Sequence, residues 1–158
     1  MCYYFNRLNF IKTGVKMECE VPTINSNREE IKEILANIKT IAVIGLSPDE
    51  TKDSHRVAKY LQEVGYKIIP VYPKEETILG EKVYRSLPEI PEKVDLVNIF
   101  RKSAIVLPIV EKAIERGDIY AVWAQKGIIN NEAGEKAVAN GIRFVQNRCT
   151  MVEHRELF

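Results

Sequence analysis

Apolar positions along the chain alternate between two rhythms. In S-N-R-E-E-I-K-E-I-L-A-N-I, Ile31, Ile34, Leu35 and Ile38 recur at the spacing of one helix face, and Ser26 with Glu29 makes a capping-box pattern at its start. I-A-V-I-G follows, a short continuous apolar run closed by glycine, as expected of a strand buried on both faces. Helical spacing then returns. Val57, Leu61 and Val64 share a face, Asp53 or Ser54 caps the first turn, and Gly65 supplies a left-handed stop. Y-K-I-I-P-V-Y-P reads as the second strand, closed by prolines.

Past a turn at Gly80, V-Y-R-S-L-P-E-I-P-E-K holds a short edge element, and D-L-V-N-I-F is the next strand. A helix runs from Ser103 or Leu107 to Arg116, with Pro108 confined to its first turn and Gly117 ending it. A-V-W-A is a strand, N-N-E-A-G-E-K-A-V-A-N a helix ended by Gly141, I-R-F-V the last strand, and a short helical tail follows Thr150. This alternation predicts a parallel sheet with right-handed crossovers, a doubly wound α/β domain. The domain spans 26–158 and carries an N-terminal helix; residues 1–25 form a flexible extension. Residues 1–16 read as poorly packed, because Met17 stands just before a polar segment.

Composition narrows the function classes. At 46% apolar and 28% charged residues, the chain fits one soluble globular domain, and a net charge of +1 gives no global footprint for nucleic acid. No apolar run approaches the roughly 20 residues that span a bilayer. The N-terminus does not resemble a signal peptide, so the expected location is cytoplasmic. Cys2, Cys19 and Cys149 are odd in number and lack any C-x-x-C spacing, which argues against a disulfide framework or a zinc site and for a reducing compartment.

In a doubly wound fold, ligands bind beyond the carboxyl ends of the strands, where unpaired N–H groups and the helix dipole favour a phosphate. The first loop does not carry the dinucleotide fingerprint. Gly45 matches, but Ser47 and Glu50 stand at the second and third glycine positions. The longer loop S-P-D-E-T-K-D offers hydroxyls (Ser47, Thr51, Ser54) and a cation, Lys52. Nor does it fit a P-loop. After the second strand, where NAD enzymes place a carboxylate, this chain has Pro70, Tyr72 and Pro73, then Lys74. A lysine there suits a phosphorylated ribose, as in NADP or coenzyme A, while Glu75 and Glu76 keep NAD open.

Together I-A-V-I-G-L-S, K-D-S-H-R-V, I-I-P-V-Y-P, L-G-E-K-V-Y-R-S-L-P-E-I-P-E-K-V-D-L-V-N-I-F-R, W-A-Q-K-G and N-R-C resemble the single-domain CoA-binding proteins, relatives of the CoA-binding domain of succinyl-CoA synthetase and ADP-forming acyl-CoA ligases. The resemblance runs from about Thr40 to Glu153 and implies a Rossmann-like fold. It implies that Gly45, Leu46 and Ser47 wrap a pyrophosphate, that Lys52 reaches a phosphate, and that the Pro70–Pro73 turn with Lys74 lies by the adenosine. Phe100, Arg101 and the Trp123–Gly127 segment, with Gln125 and Gly127, would line the pantetheine side. Tyr72 departs from the asparagine common in the family.

Each residue also has a plainer role. Gly45 permits a turn, Ser47 bonds its own backbone, Ser54 caps a helix, Phe100 packs, Arg101 forms a surface ion pair, and Trp123 is core or pocket wall. His55 and His154 read as solvated side chains rather than bases. Cys149 lies where a thiol-bearing ligand projects, beside Arg148, and a mixed disulfide with CoA under oxidising conditions is one reading of it. The preferred reading is a non-catalytic binder of coenzyme A or acyl-CoA, acting as carrier, sensor or regulator. The resemblance sets the extra domains of the ligases outside this chain, so a ligase-type partner acting in trans, or a homodimer through an exposed sheet edge, is the expected assembly. The rivals are an NAD(P)-binding oxidoreductase or redox sensor, and a regulatory subunit docking through its terminal helices.

Overall fold

A computed structural model describes residues 21–158; Cys2, Cys19 and the readings made on residues 1–20 lie outside it. Helix α1 (Arg28–Asn37) leads into β1 (Thr40–Ile44), α2 (Asp53–Glu63) and β2 (Lys67–Val71). A small antiparallel pair, β3 (Thr77–Ile78) and β4 (Glu81–Lys82), and a 3-10 turn at Leu87–Glu89 follow. Then come β5 (Leu96–Ile99), α3 (Ser103–Arg116), β6 (Ala121–Ala124), α4 (Asn131–Ala139), β7 (Arg143–Val145) and α5 (Thr150–Leu157). The five long strands form a parallel sheet in the order β2-β1-β5-β6-β7, so strand order reverses between β1 and β5.

Strand alternation sorts the core into two layers. Ile41, Val43, Leu96 and Trp123 pack with Ile31, Ile34, Val57 and Leu61 of α1 and α2. Ala42, Val97, Ile99 and Val122 pack with Val106 and Val110 of α3 and Ala133 and Ala137 of α4. Helices thus cover both faces, as the doubly wound reading requires. Trp123 is fully buried, and its indole N–H donates to the Arg148 carbonyl at 2.8 Å, so it belongs to the core.

Several local expectations are corrected. Asn27, not Ser26, caps α1: its side chain accepts from Glu30 N–H while Glu30 reaches back to Asn27 N–H. The two capping patterns overlap in sequence, and Ser26 is instead buried against the Phe144 carbonyl at 2.8 Å. Neither Asp53 nor Ser54 caps α2, because Lys52 holds the N-cap position. Val64 lies beyond the last turn of α2 and is exposed. Pro108 sits in the second turn of α3, leaving the Ala104 carbonyl without its helical donor.

Both sheet rims are occupied. Ser26 N–H donates to Phe144 O at 3.1 Å, Gln146 N–H to Asn25 Oδ1 at 3.0 Å, and Asn25 Nδ2 to Gln146 O at 2.9 Å. On the other rim Tyr84 bridges β2 through Pro70 O and Tyr72 N–H. The expected exposed edge is therefore taken at these positions.

At the amino ends of the strands, the Arg116 guanidinium donates to the carbonyls of Leu87, Ile90 and Glu92 and pairs with Asp118 at 2.8 Å. Burial pushes the Asp118 carboxyl up, but the bonds from Arg116 and Val94 N–H outweigh it and hold it below its usual value. This clamp fixes the 3-10 turn that walls the site at the opposite end.

Candidate functional site

The first loop is built by local bonds between short polar side chains. Ser47 N–H donates to Ser54 Oγ at 3.0 Å, Asp49 N–H to Ser47 Oγ at 3.1 Å, and Thr51 bonds Asp49 through both N–H and hydroxyl. Those Thr51 bonds lower the Asp49 pKa. His55 is buried, not solvated, with Nδ1 2.9 Å from the Ser47 carbonyl. It ties the loop to the first turn of α2.

Gly45 lies where β1 and β5 leave the sheet. Its φ is +86°, and a Cβ there would stand 2.6 Å from the Phe100 carbonyl oxygen. Glycine is therefore required twice, for its backbone angle and for the close approach. Leu46 turns its side chain fully into the core.

Two cavities flank this point. One, of about 390 Å³, lies over Gly45, Tyr72, Pro73, Leu87 and Pro88, with Arg85 beside it. Arg85 donates to the carbonyls of Tyr72 at 3.0 Å and Lys74 at 2.7 Å, so it shapes the loop after β2. The other, of about 790 Å³, is lined by Phe100, Gln125, Ile128, Cys149 and Met151, with Lys102 and Lys126 at its polar positions. Arg101 and Ile105 line both, making one groove across the carboxyl ends of the sheet. No ion pair involving Arg101 is found among the described residues.

Beneath the larger cavity lies a polar network that sequence reasoning missed. Asn98, Gln125 and Thr150 are buried. Gln125 Nε2 donates to Asn98 Oδ1 and to Thr150 Oγ1 (3.0 Å), and Asn98 Nδ2 donates to Thr150 Oγ1 at 3.2 Å. The one available signal was an asparagine inside an otherwise apolar strand run. Arg85 and the loop-tying role of His55 were likewise not singled out.

The groove thus gathers Gly45, Tyr72, Pro73, Phe100, Arg101, Gln125 and Cys149. Ser47, Ser54, Pro70 and Gly127 lie outside its lining: Ser47 and Ser54 bond each other, Pro70 is buried in β2, and Gly127 N–H donates to Asn147 at 2.8 Å. Lys52 and Lys74 are exposed and line neither cavity. His154 lies not in a loose tail but on α5, between Tyr60 (hydroxyl 2.8 Å from Nδ1), Tyr66 and Phe158, where burial lowers its pKa.

Residues 39–155 match the CoA binding domain family. The chain is 41% identical over 130 residues to the protein YneT of Bacillus subtilis, covering 82% of this chain and 96% of that one. It is 30% identical over 110 residues to an ADP-forming acetate–CoA ligase of Methanocaldococcus jannaschii, covering 70% of this chain but 15% of the ligase. A solved structure of a hypothetical protein from Pyrococcus horikoshii superposes with a TM-score of 0.80 at 42% identity, covering 89% and 99% of the two chains. Among the described residues no helix is long and apolar enough to cross a membrane. The chain belongs to the CoA-binding domain family and is related to the CoA-binding regions of ADP-forming acyl-CoA ligases.

Proposed function

We propose that this protein binds coenzyme A or an acyl-CoA across the carboxyl ends of its sheet, in the cytoplasm, as a carrier or sensor without chemistry of its own. The observation that carries the reading is the pair of cavities meeting at Arg101, where strand order reverses. The smaller, apolar one suits adenine between Tyr72 and Pro88. The diphosphate crosses at Gly45 and the loop through Ser47, where Arg101 and the α2 N-terminus meet its charge. Lys52 and Lys74 supply further cations to the phosphates as their side chains swing in. The pantetheine arm then lies in the larger cavity, along Phe100 towards Gln125 and Cys149, with Gly127 in the turn behind the wall.

Both histidines are committed to structure, His55 on the Ser47 carbonyl and His154 in its aromatic cluster, which favours a binding role over an acid–base one. Chemistry on the bound thioester falls to a ligase-type partner. Calorimetry with CoA, dephospho-CoA, NAD and NADP tests the reading. CoA binds best, and removal of its 3′-phosphate weakens binding. Tighter binding of NAD than of CoA would transfer the site to the redox reading.

A further inference from the structure

We infer that Cys149 exchanges disulfides with the bound coenzyme, so that the site captures CoA covalently when CoA arrives as a disulfide. The inference rests on the coenzyme reading above and adds a redox response to it. Cys149 is a free thiol at the N-cap position of α5, partly exposed, and it lines the larger cavity. A thiol alone would carry nothing.

The second observation is Gln125. The residue is 4% exposed and lines the same cavity. The Nε2 group is spent on Asn98 and Thr150, while no hydrogen bond to Oε1 is found among the described residues. An amide oxygen pinned in this way is a fixed acceptor that waits for a donor. Thr150, which holds that amide, is the residue next to Cys149. The terminal amide N–H of a pantetheine arm stands two methylenes from its sulfur. Donated to Gln125 Oε1, that N–H sets the ligand sulfur beside Cys149.

The step balances without an outside oxidant. Cys149 sulfur, as thiolate, attacks one sulfur of CoA disulfide; the Cys149–S–S–CoA bond forms, the original S–S bond breaks, and one CoA thiolate leaves and takes up a proton. A reducing thiol reverses the step by the same exchange. One disulfide is consumed and one is formed: Cys149 is oxidised as the departing CoA sulfur is reduced, so no outside electron acceptor is needed.

The test incubates the full chain with CoA disulfide or with oxidised glutathione, and reads intact mass and peptide maps without reductant. One CoA adduct on Cys149 is expected, removed by reductant, retained in a Cys2→Ser/Cys19→Ser variant and absent from Cys149→Ser. CoA disulfide labels about tenfold faster than oxidised glutathione or more, because docking raises its effective concentration. Adducts confined to Cys2 or Cys19, or equal rates for the two disulfides, overturn the inference. Calorimetry with reduced CoA separates the two failures: binding without a Cys149 adduct sinks the exchange alone, whereas no binding of CoA in either form sinks the coenzyme reading with it.

Discussion

Replacing Gly45 by alanine isolates the geometry on which the site is built. The new Cβ would lie 2.6 Å from the Phe100 carbonyl oxygen, 3.2 Å from its carbon and 3.0 Å from Arg101 Cδ. The first two neighbours are backbone, and Phe100 N–H is bonded to Ile44 O at 2.9 Å, so they cannot swing aside. Holding alanine at positive φ costs about 1–2 kcal/mol, and forcing a methyl into filled space costs about 1–3 kcal/mol more. Gly45→Ala should therefore lose about 2–5 kcal/mol of unfolding free energy. Gly117→Ala is the matched control, since Gly117 has φ +78° with nothing within 4 Å of the added carbon. It should lose only the backbone share, about 1–2 kcal/mol. Urea unfolding of both variants gives the difference, which is the clash itself. Calorimetry with CoA adds a functional reading: relief of the clash pushes Phe100 and Arg101 away from β1, and affinity falls by about tenfold, or about 1.4 kcal/mol. If the two variants unfold within about 0.5 kcal/mol of each other, the span of neutral substitutions, and Gly45→Ala binds CoA normally, the close approach does not organise the site.

Thr150→Val keeps the shape of the side chain but leaves the Asn98 and Gln125 amides without their shared acceptor, and should cost about 1–3 kcal/mol by thermal or urea unfolding; an unchanged midpoint refutes the network's role. Because burial lowers the folded pKa of His154 below the ordinary imidazole value of about 6.5, the unfolded chain binds its proton first. Stability should then be full above that value and fall as pH drops through it towards the folded pKa, and His154→Gln should flatten the trend in urea midpoints between about pH 7.5 and 5.5. Arg85→Met frees the carbonyls of Tyr72 and Lys74. It should alter stability by no more than about 0.5 kcal/mol yet weaken CoA binding by about tenfold, and equal affinity by calorimetry would remove Arg85 from the site.

The doubly wound architecture was legible because parallel strands buried on both faces must be written as short unbroken apolar runs. I-A-V-I and A-V-W-A announce themselves in this way. Helix ends were less legible, since Ser26/Glu29 and Asn27/Glu30 satisfy the same capping rule and only tertiary demand for the Ser26 hydroxyl decides between them. Pro108 was placed too early for a similar reason: local sequence forbids it in mid-helix, and packing of α3 overrides the objection. Within the site, Gly45 and Tyr72 could be read from position alone, because a strand's carboxyl end is fixed by the strand. Asn98, Gln125 and Thr150 come from β5, the residue just past β6 and the start of α5, and no spacing in the chain reveals that their amides and hydroxyl share one buried space. His55 escaped because its partner is a backbone carbonyl eight residues back, on a loop whose path the sequence does not fix.

The residues laid along β7 reach further than their small size suggests. With Asn25 and Ser26 already bonded to Phe144 and Gln146, and Tyr84 stitched to Pro70 on the far side, an incoming polypeptide finds no ladder to extend at either place. Strand-to-strand growth of one copy on another is thereby blocked at these two places.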